Sequence, residues 1–594
     1  MMAPETSDYR DIDFRFADFI CRLAGNGSDE LRRAALRVSN AVGQGHICVD
    51  LAAEAEGEEE SGCYTELLRS SGVVGSPGEF ATLILDDTRL YLYRYWKYER
   101  ELAEKIRDNA GRTYPVDCRL LGEGVVRLFG PPTDGGETDW QRIAAAAALR
   151  SGFTVISGGP GTGKTSTVVK IIALLLEQSG DDGLGIALTA PTGKAAARLK
   201  DAIRGAREGL AGLTPVQDRI PDDVTTIHRL LGVIPGANRF RYNRGNPLPH
   251  DVVVVDEASM VALPLMARLV EAMAPKARLI LLGDRDQLAS VEAGAVLGDI
   301  CDTGDTPMYS TEFRRYVEEA TGERLEMGSG DEPLSPLADS LVILRKNYRF
   351  GADSGIGALS RAINDGDGDS ALALLREEGT SGVAWRETPS VEALEQALAP
   401  EVISGYGDYL SHDDPATVLA DFDRFRVLCV VREGRYGVAG LNSAIERILA
   451  GRGIISPNRR WYRGRPVMVT VNDYALRLFN GDVGITLPDP ENPDTLAVFF
   501  PSATEGVRKV SPLRLPPHET VFAMTVHKSQ GSEFDRILMV IPPVENPVLT
   551  RELLYTGITR ARAAAGLWCG EAVFNAAVAR RVERRSGLRN ALTK

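Results

Sequence analysis

Residues 153–178 read FTVISGGPGTGKTSTVVKIIALLLEQ: a short apolar run, a glycine-rich turn, then a helix-forming stretch. The turn, Gly158-Gly159-Pro160-Gly161-Thr162-Gly163-Lys164-Thr165, matches G-x-x-x-x-G-K-[ST]. Glycines let backbone N–H groups turn inward around phosphates, and the helix that follows adds the partial positive charge of its N-terminus. In that pattern Lys164 is expected at the β- and γ-phosphates and the Thr165 hydroxyl on Mg²⁺, with Ser166 in the first helical turn beside them. ATP and Mg²⁺ are therefore the expected cofactors, and a strand–turn–helix unit is the expected local fold.

Working outward, LGIALTA (184–190), DVVVV (251–255) and RLILLG (278–283) are apolar without alternation and are separated by helical stretches. Such runs predict parallel strands buried on both faces. Asp256 and Glu257 end the second run, which suits a carboxylate pair at a strand tip. Asp256 is expected to hold Mg²⁺ and Glu257 to activate the attacking water. A second series, LVIL (341–344), FRVLCVV (425–431), DRILMVI (535–541) and AGLW (565–568), predicts a second α/β unit in tandem. Between its strands, residues 455–520 change character, with PVMVTV, LFNGDVGITL and LAVFF around the turn signal Asn480-Gly481-Asp482. They predict a small β-barrel insert. Residues 301–340 are expected as a surface loop, Glu54–Glu60 as an acidic patch, and the basic last fifteen residues as a solvated helix end.

The chain has 594 residues, 44% of them apolar and 25% charged, which excludes wholesale disorder. Its net charge of −14 excludes a polycation that coats nucleic acid in bulk, though not a local basic groove. Seven scattered cysteines and six scattered histidines suggest neither a disulfide framework nor a zinc site. No apolar stretch approaches the ~18 residues of a membrane span, and the acidic N-terminus lacks a signal-peptide core, so the cytoplasm is the expected compartment. Residues 1–120 carry no phosphate motif and include amphipathic stretches at Leu31–Val42 and Leu90–Ile106. The segment LYLYRYWKYE within them could form a base-stacking platform. Packing on a helix face is the expected reading. Its seven apolar side chains between Leu90 and Tyr98 exceed what so small a domain can bury, which predicts a partner-docking module.

Four further residues narrow the function. Gln287, after RLILLG, is placed to reach a γ-phosphate, and Gln141, opening the helix before the turn, to read adenine. Arg349 and Arg560 belong to the second series, and a cation from a second unit acts as an arginine finger. In order, WQ, GGPGTGKT, LTAPTGKAAARL, TTIHRLLG, VVVDEASM, LLGDRDQL, NYRF, AMTVHKSQGSEF and LLYTGITRAR resemble the motifs of superfamily 1B helicases. More narrowly the chain resembles the RecD family, the alpha subunits of exodeoxyribonuclease V, over about residues 140–570. VSNAVGQGHICVDL, RLYLYRYWKYE, REGRYGVAGLN and GRPVMVTVNDYALRLFNGDVG are similar to that family in particular.

The resemblance implies two tandem RecA-like P-loop domains with parallel sheets. The implied division is a mainly helical docking domain (1–120), a first RecA-like domain (121–335), a second in two parts (336–454 and 519–594), and the barrel insert (455–518). It implies an ATP-dependent 5′→3′ translocase on single-stranded DNA at a duplex end, assembled with RecB-like and RecC-like subunits, the nuclease lying in another subunit. Gln530 would face the nucleotide cleft. Pro191, Thr192, Lys194, Thr226, His228, Asn442, Thr525 and His527 would contact DNA from loops at strand ends, where open α/β sheets bind ligands. A stand-alone helicase and an ATP-gated regulatory subunit remain the alternatives.

Overall fold

The computed structural model describes residues 9–593 apart from 26, 53–57, 132–136, 181, 211, 213, 235, 238, 303–308, 326–334, 352–353, 378–380, 474 and 503–505. Its first sheet has six parallel strands in the order Leu341–Ile343, Phe153–Ser157, Arg278–Gly283, Val252–Val255, Ile186–Ala190, Val224–Thr226. Helices Trp140–Arg150 and Lys164–Gln178 join one hydrophobic cluster with Ile156, Val254 and Ile280. Helices Leu263–Ala272 and Tyr93–Ala110 join another with Val155, Val253 and Leu281. Alternate residues of each strand thus face opposite apolar layers, which is why the runs lack polar positions.

Strand Leu341–Ile343 pairs with Phe153–Ser157, so it completes the first sheet rather than opening the second. The expected division at 335/336 therefore falls before the first sheet ends. Residues 301–340 are not simply a surface loop: helix Thr311–Thr321 buries Phe313, Tyr316 and Val317 against the first sheet's helices. Ser310 caps it, and its hydroxyl also donates to Asp339 at 2.6 Å. Residues 303–308 and 326–334 of that stretch lie outside the described residues, as do 53–57 of the acidic patch.

The second sheet is also wholly parallel, ordered Val383–Arg386, Ala561–Trp568, Phe534–Val540, Phe425–Cys429, Ala523–Thr525. Its insert is a five-stranded antiparallel sheet: Gly506–Val510, Asn492–Ser502, Val483–Asp489, Pro466–Val469, His518–Thr520. Among the described residues no ladder joins its two outer strands, so backbone pairing leaves the expected barrel open. Period-two alternation gives it two apolar faces. Val467, Val498 and Phe500 form a small core of its own, while Met468, Ala497 and Phe499 join the second sheet's cluster. Asn480-Gly481-Asp482 is a turn, with Gly481 at φ +96°, a region where glycine meets no Cβ penalty.

The N-terminal region is mainly helical, with helices Asp11–Leu23, Asp29–Gly43, Glu58–Ser70 and Tyr93–Ala110, and adds a sheet of four short strands, Cys48–Asp50, Arg89–Leu92, Leu83–Asp86, Val74–Gly75. It does not stand apart. Leu90, Tyr91 and Tyr95 are buried, and Leu92, Tyr93, Trp96 and Tyr98 are half-buried. Tyr91 and Tyr95 join the first sheet's cluster, and the Arg268 guanidinium lies 5.2 Å over the Tyr98 ring. The aromatic run is thus consumed within the chain, and the docking argument drawn from it falls. The basic tail is likewise not solvated. Leu588, Ala591 and Leu592 of helix Leu588–Thr593 enter the same cluster. Gly587 N–H donates to Glu99 at 2.9 Å and Ser586 Oγ to Asp299 at 2.7 Å. The chain's last residues therefore close over the first unit and the N-terminal helix, and not over the second unit to which they were assigned.

A detachable docking module would tolerate removal; this one shares a core. Deleting residues 1–120 is expected to leave a chain that aggregates or melts well below the full-length protein. Equal melting temperatures in differential scanning calorimetry would contradict the shared core.

Candidate functional site

The glycine turn places its backbone as the motif requires. Gly161 and Gly163 adopt φ +85° and +81°. A Cβ on Gly161 would lie 2.4 Å from Arg349 Cβ, and one on Gly163 2.6 Å from Gln141 Nε2. Lys164 Nζ folds back to donate to Gly158 O at 2.6 Å and Gly159 O at 3.1 Å. Gly163 is the N-cap of helix Lys164–Gln178, and Thr165 and Ser166 lie in its first turn. Thr162 is buried and Pro160 O accepts from Asn347 Nδ2 at 2.9 Å. Tyr348 N–H donates to Gly161 O at 2.8 Å, so the NYRF loop lies directly on the turn.

Asp256 and Glu257 follow strand Val252–Val255 as expected, with Glu257 at φ +50° and its N–H donating to Asp256 Oδ1 at 2.9 Å. Burial, and then the Glu257 charge, push the Asp256 carboxyl up to about 6. Gln287 is buried and donates to Asp284 Oδ2 at 3.0 Å, where the Tyr555 hydroxyl from the second unit also donates at 2.9 Å. Leu288 joins the units further: its N–H donates to Thr556 Oγ1 at 2.9 Å and its carbonyl accepts from Gln530 Nε2 at 2.9 Å. Arg560 is buried, donating to Thr556 O at 3.0 Å and Ser532 O at 3.3 Å. Burial pushes its pKa down, and the Glu257 and Glu533 charges oppose that. Arg349 donates to Glu533 Oε1 at 2.7 Å. Carboxylates, lysine and both arginines thus converge on one cleft between the two sheets.

Beside the turn, a cavity of about 440 Å³ is walled by Trp140, Gln141, Thr162, Arg345 and Tyr348. The Arg345 guanidinium lies 4.6 Å over the Trp140 ring, and Gln141 Nε2 donates to Thr162 O at 3.2 Å. Its planar walls suit a purine. Arg345, Tyr348, Tyr555 and Glu533 were missed as site residues, although three of them sit inside the motifs quoted above. Motif membership was the available signal.

Thr226 ends one sheet's edge strand and Thr525 the other's. Each caps a short helix, Thr226 Oγ1 accepting from Arg229 N–H and Thr525 Oγ1 from Lys528 N–H, both at 3.3 Å. His228 is exposed and His527 half-buried, two residues after each threonine. Pro191, Thr192 and Lys194 are half-buried at the start of helix Gly193–Gly209, which Thr192 caps. Burial pushes Lys194 down to about 8, against the Asp423 and Asp482 charges. The insert's turn meets this loop: a Cβ on Gly193 would lie 2.5 Å from Phe479, and Lys528 donates to Asn480 at 2.8 Å. Asn442 does not join them. It is buried, donating to Val438 O and Ala523 O at 2.9 Å and accepting from Phe522 N–H at 2.8 Å and Ala523 N–H at 2.9 Å. All four of its hydrogen-bonding positions are taken, one within its own helix and three bracing that helix to the 522–523 backbone, so the expectation of a DNA contact there is corrected.

The family described as RecBCD enzyme subunit RecD, N-terminal domain, matches residues 5–91. An AAA domain family matches 141–293 and the UvrD-like helicase C-terminal domain 520–568. The chain is 40% identical to the RecBCD enzyme subunit RecD of Mycobacterium tuberculosis, across 97% of this chain and 94% of that protein. The chain belongs to the RecD family. It is 38% identical to the RecD subunit of Haemophilus influenzae, across 84% of this chain and 79% of that one. The ATP-dependent RecD2 DNA helicase of Deinococcus radiodurans is 29% identical across 80% of this chain but only 54% of its own length.

For this RecD-family chain, Asn442→Ala is expected to lower the melting temperature by several degrees, since stranding buried backbone groups costs roughly 1–3 kcal/mol each. Affinity of the folded protein for a single-stranded oligonucleotide should hold. Unchanged melting with weakened DNA binding would restore Asn442 as a contact.

Proposed function

We propose that the chain is an ATP-dependent DNA helicase, the RecD subunit of a RecBCD-type helicase–nuclease that works at double-strand breaks with RecB-like and RecC-like subunits. The observation that carries it is one cleft in which Lys164, Asp256 and Glu257 of the first sheet, with Arg349 on the loop that leaves that sheet's edge strand, face Arg560 of the second. The match of residues 5–91 to the RecD N-terminal family supports the subunit reading over a stand-alone helicase.

Each residue has a physical task in this reading. Lys164 leaves the carbonyls of Gly158 and Gly159 for the β- and γ-phosphates, which the N–H groups of Gly161 to Thr165 surround. The Thr165 hydroxyl and Asp256 carboxylate would hold Mg²⁺. The fit is chemical: hard oxygen donors beside a phosphate cradle, with an Asp256 carboxyl that burial has left short of compensating positive charge. Bound there, Mg²⁺ supplies charge neutralisation of the phosphate oxygens. Glu257 takes the proton of the attacking water, and Gln287 orients that water from the γ-phosphate side. Arg349 and Arg560 stabilise the transferred phosphoryl group, a contribution of roughly 10³-fold or more in rate. Gln141, Trp140 and Tyr348 hold the base. Because Arg560 comes from the second unit, hydrolysis requires the cleft to close, and each closure shifts one DNA loop relative to the other. Pro191, Thr192, Lys194, Thr226 and His228 form the first unit's grip on single-stranded DNA, Thr525 and His527 the second's. Translocation is 5′→3′ in this reading, the nuclease resides in another subunit, and the compartment is the cytoplasm. Among the described residues no helix is long and apolar enough to cross a membrane. The working division of the chain is an N-terminal region, a first RecA-like domain through about residue 344, and a second with the 455–518 insert.

Lys164→Gln should lower DNA-stimulated ATP hydrolysis at least about a hundredfold, the scale of losing one transition-state charge contact, without shifting the melting temperature. Near wild-type turnover in a folded variant would remove the assignment. Glu257→Gln should bind ATP without turning it over; a collapse of nucleotide affinity would make Glu257 structural.

A further inference from the structure

Glu533 stands where the cleft's two sides meet. Its Oε1 accepts from Arg349 Nη2 at 2.7 Å and lies 3.1 Å from Arg198 Nη2, while Oε2 accepts from Arg562 Nε at 3.3 Å. Arg562 reaches it from the second sheet, and Arg349 from the loop that leaves the first sheet's edge strand and rests on the glycine turn. Arg198 belongs to helix Gly193–Gly209 of the first unit, and its Nη1 also donates to Gly531 O at 2.6 Å. Arg198 therefore crosses the cleft and grips the 531–533 loop at two points. Burial pushes Glu533 up, but Arg198 and Arg349 outweigh it and hold the carboxyl down at about 2, so it is anionic at any working pH.

The same helix carries the other end of the connection. It starts at Thr192, and Lys194 lies four residues before Arg198, hence on the same face. A helix transmits displacement of its first turn to its second nearly undiminished. Two guanidinium groups drawn to one carboxylate oxygen carry like charges side by side, so closer approach of one weakens the hold on the other. Both pairs are partly exposed, so exchange between partners costs little.

We infer that Arg198 is a positioning residue that couples DNA at the 191–194 loop to ATP hydrolysis, by competing with Arg349 for Glu533 and so freeing Arg349 for the nucleotide. Arg198 touches neither reacting atoms nor, on this account, DNA. The inference rests on the ATPase reading above, and wild-type controls keep the two apart.

The test is steady-state hydrolysis by the full chain at saturating ATP, with and without oligo(dT), alongside oligo(dT) affinity by fluorescence anisotropy. Arg198→Ala should cut the ratio of DNA-stimulated to basal turnover at least about fivefold, the lower range of allosteric coupling. Basal turnover and oligo(dT) affinity should each stay within about twofold, inside the scatter of such couplings. Arg198→Lys, which keeps the charge but not the two-point grip, should restore part of the ratio. In a Glu533→Gln background, Arg198→Ala should add nothing. A wild-type ratio in folded Arg198→Ala would overturn the inference, as would equal loss of basal and stimulated turnover or a parallel loss of oligo(dT) affinity. Should Arg198→Ala fail to fold, Glu533→Gln decides, because a full wild-type ratio there overturns the coupling. A wild type that hydrolyses no ATP would remove the ATPase reading, and this inference with it, whereas one that hydrolyses ATP without stimulation by oligo(dT) would overturn this inference alone.

Discussion

The Tyr555 hydroxyl, from the second unit, donates 2.9 Å to Asp284, which sits in the loop after a first-sheet strand. Both groups are buried, and burial pushes the Asp284 carboxyl up while the nearby Lys164 charge opposes it. A carboxylate withdrawn from water is tolerated only with partners, and here Gln287 supplies the second. The joint therefore does two things at once. It registers the two sheets against each other, and it concentrates unneutralised charge beside the phosphate cradle. Asp256, pushed up to about 6, and Arg560, pushed down by the same burial, extend that pattern across the cleft. Perturbed groups of opposite sign facing one another in a cleft mark a place built for a charged ligand.

The two halves repeat one another at their edges. Each sheet ends in a strand whose last threonine caps a short helix, followed by Ile or Val and then His: Thr226-Ile227-His228 and Thr525-Val526-His527. Edge position at the C-terminal ends of parallel strands is where such sheets present ligands to loops. In the proposed reading these are two equivalent grips, the minimum needed to move along a polymer, because one must hold while the other shifts. The insert adds a third element, its turn at Phe479 and Asn480 reaching the loop at Gly193 and the side chain of Lys528.

What could be read from residues alone was local. The cradle, the strand-tip carboxylates and the buried parallel strands follow from short windows, since each depends on neighbours within a turn or two. What could not be read was pairing across the chain. LVIL carries no mark telling it to lie beside Phe153–Ser157 rather than in the second sheet. The amphipathic tail looked solvated because its apolar partners, around Leu102 and Ile300, are hundreds of residues away. The aromatic run from Leu90 to Tyr98 looked surplus for the same reason. Asn442 sits within a motif-like stretch, yet its amide serves four backbone groups, a role visible only once strand Ala523–Thr525 is beside it. Strands Val383–Arg386 and Ala523–Thr525 are too short to announce themselves.

The central claim is that nucleotide binds both sheets at once. Hydrogen–deuterium exchange of the full chain, with and without Mg²⁺ and a non-hydrolysable ATP analogue, tests it most directly. The account predicts simultaneous protection of 158–166, 256–257 and the 347–350 loop on the first unit's side and of 529–533 and 555–560 in the second. Protection confined to the first unit, with the second exchanging as in the free protein, would contradict it.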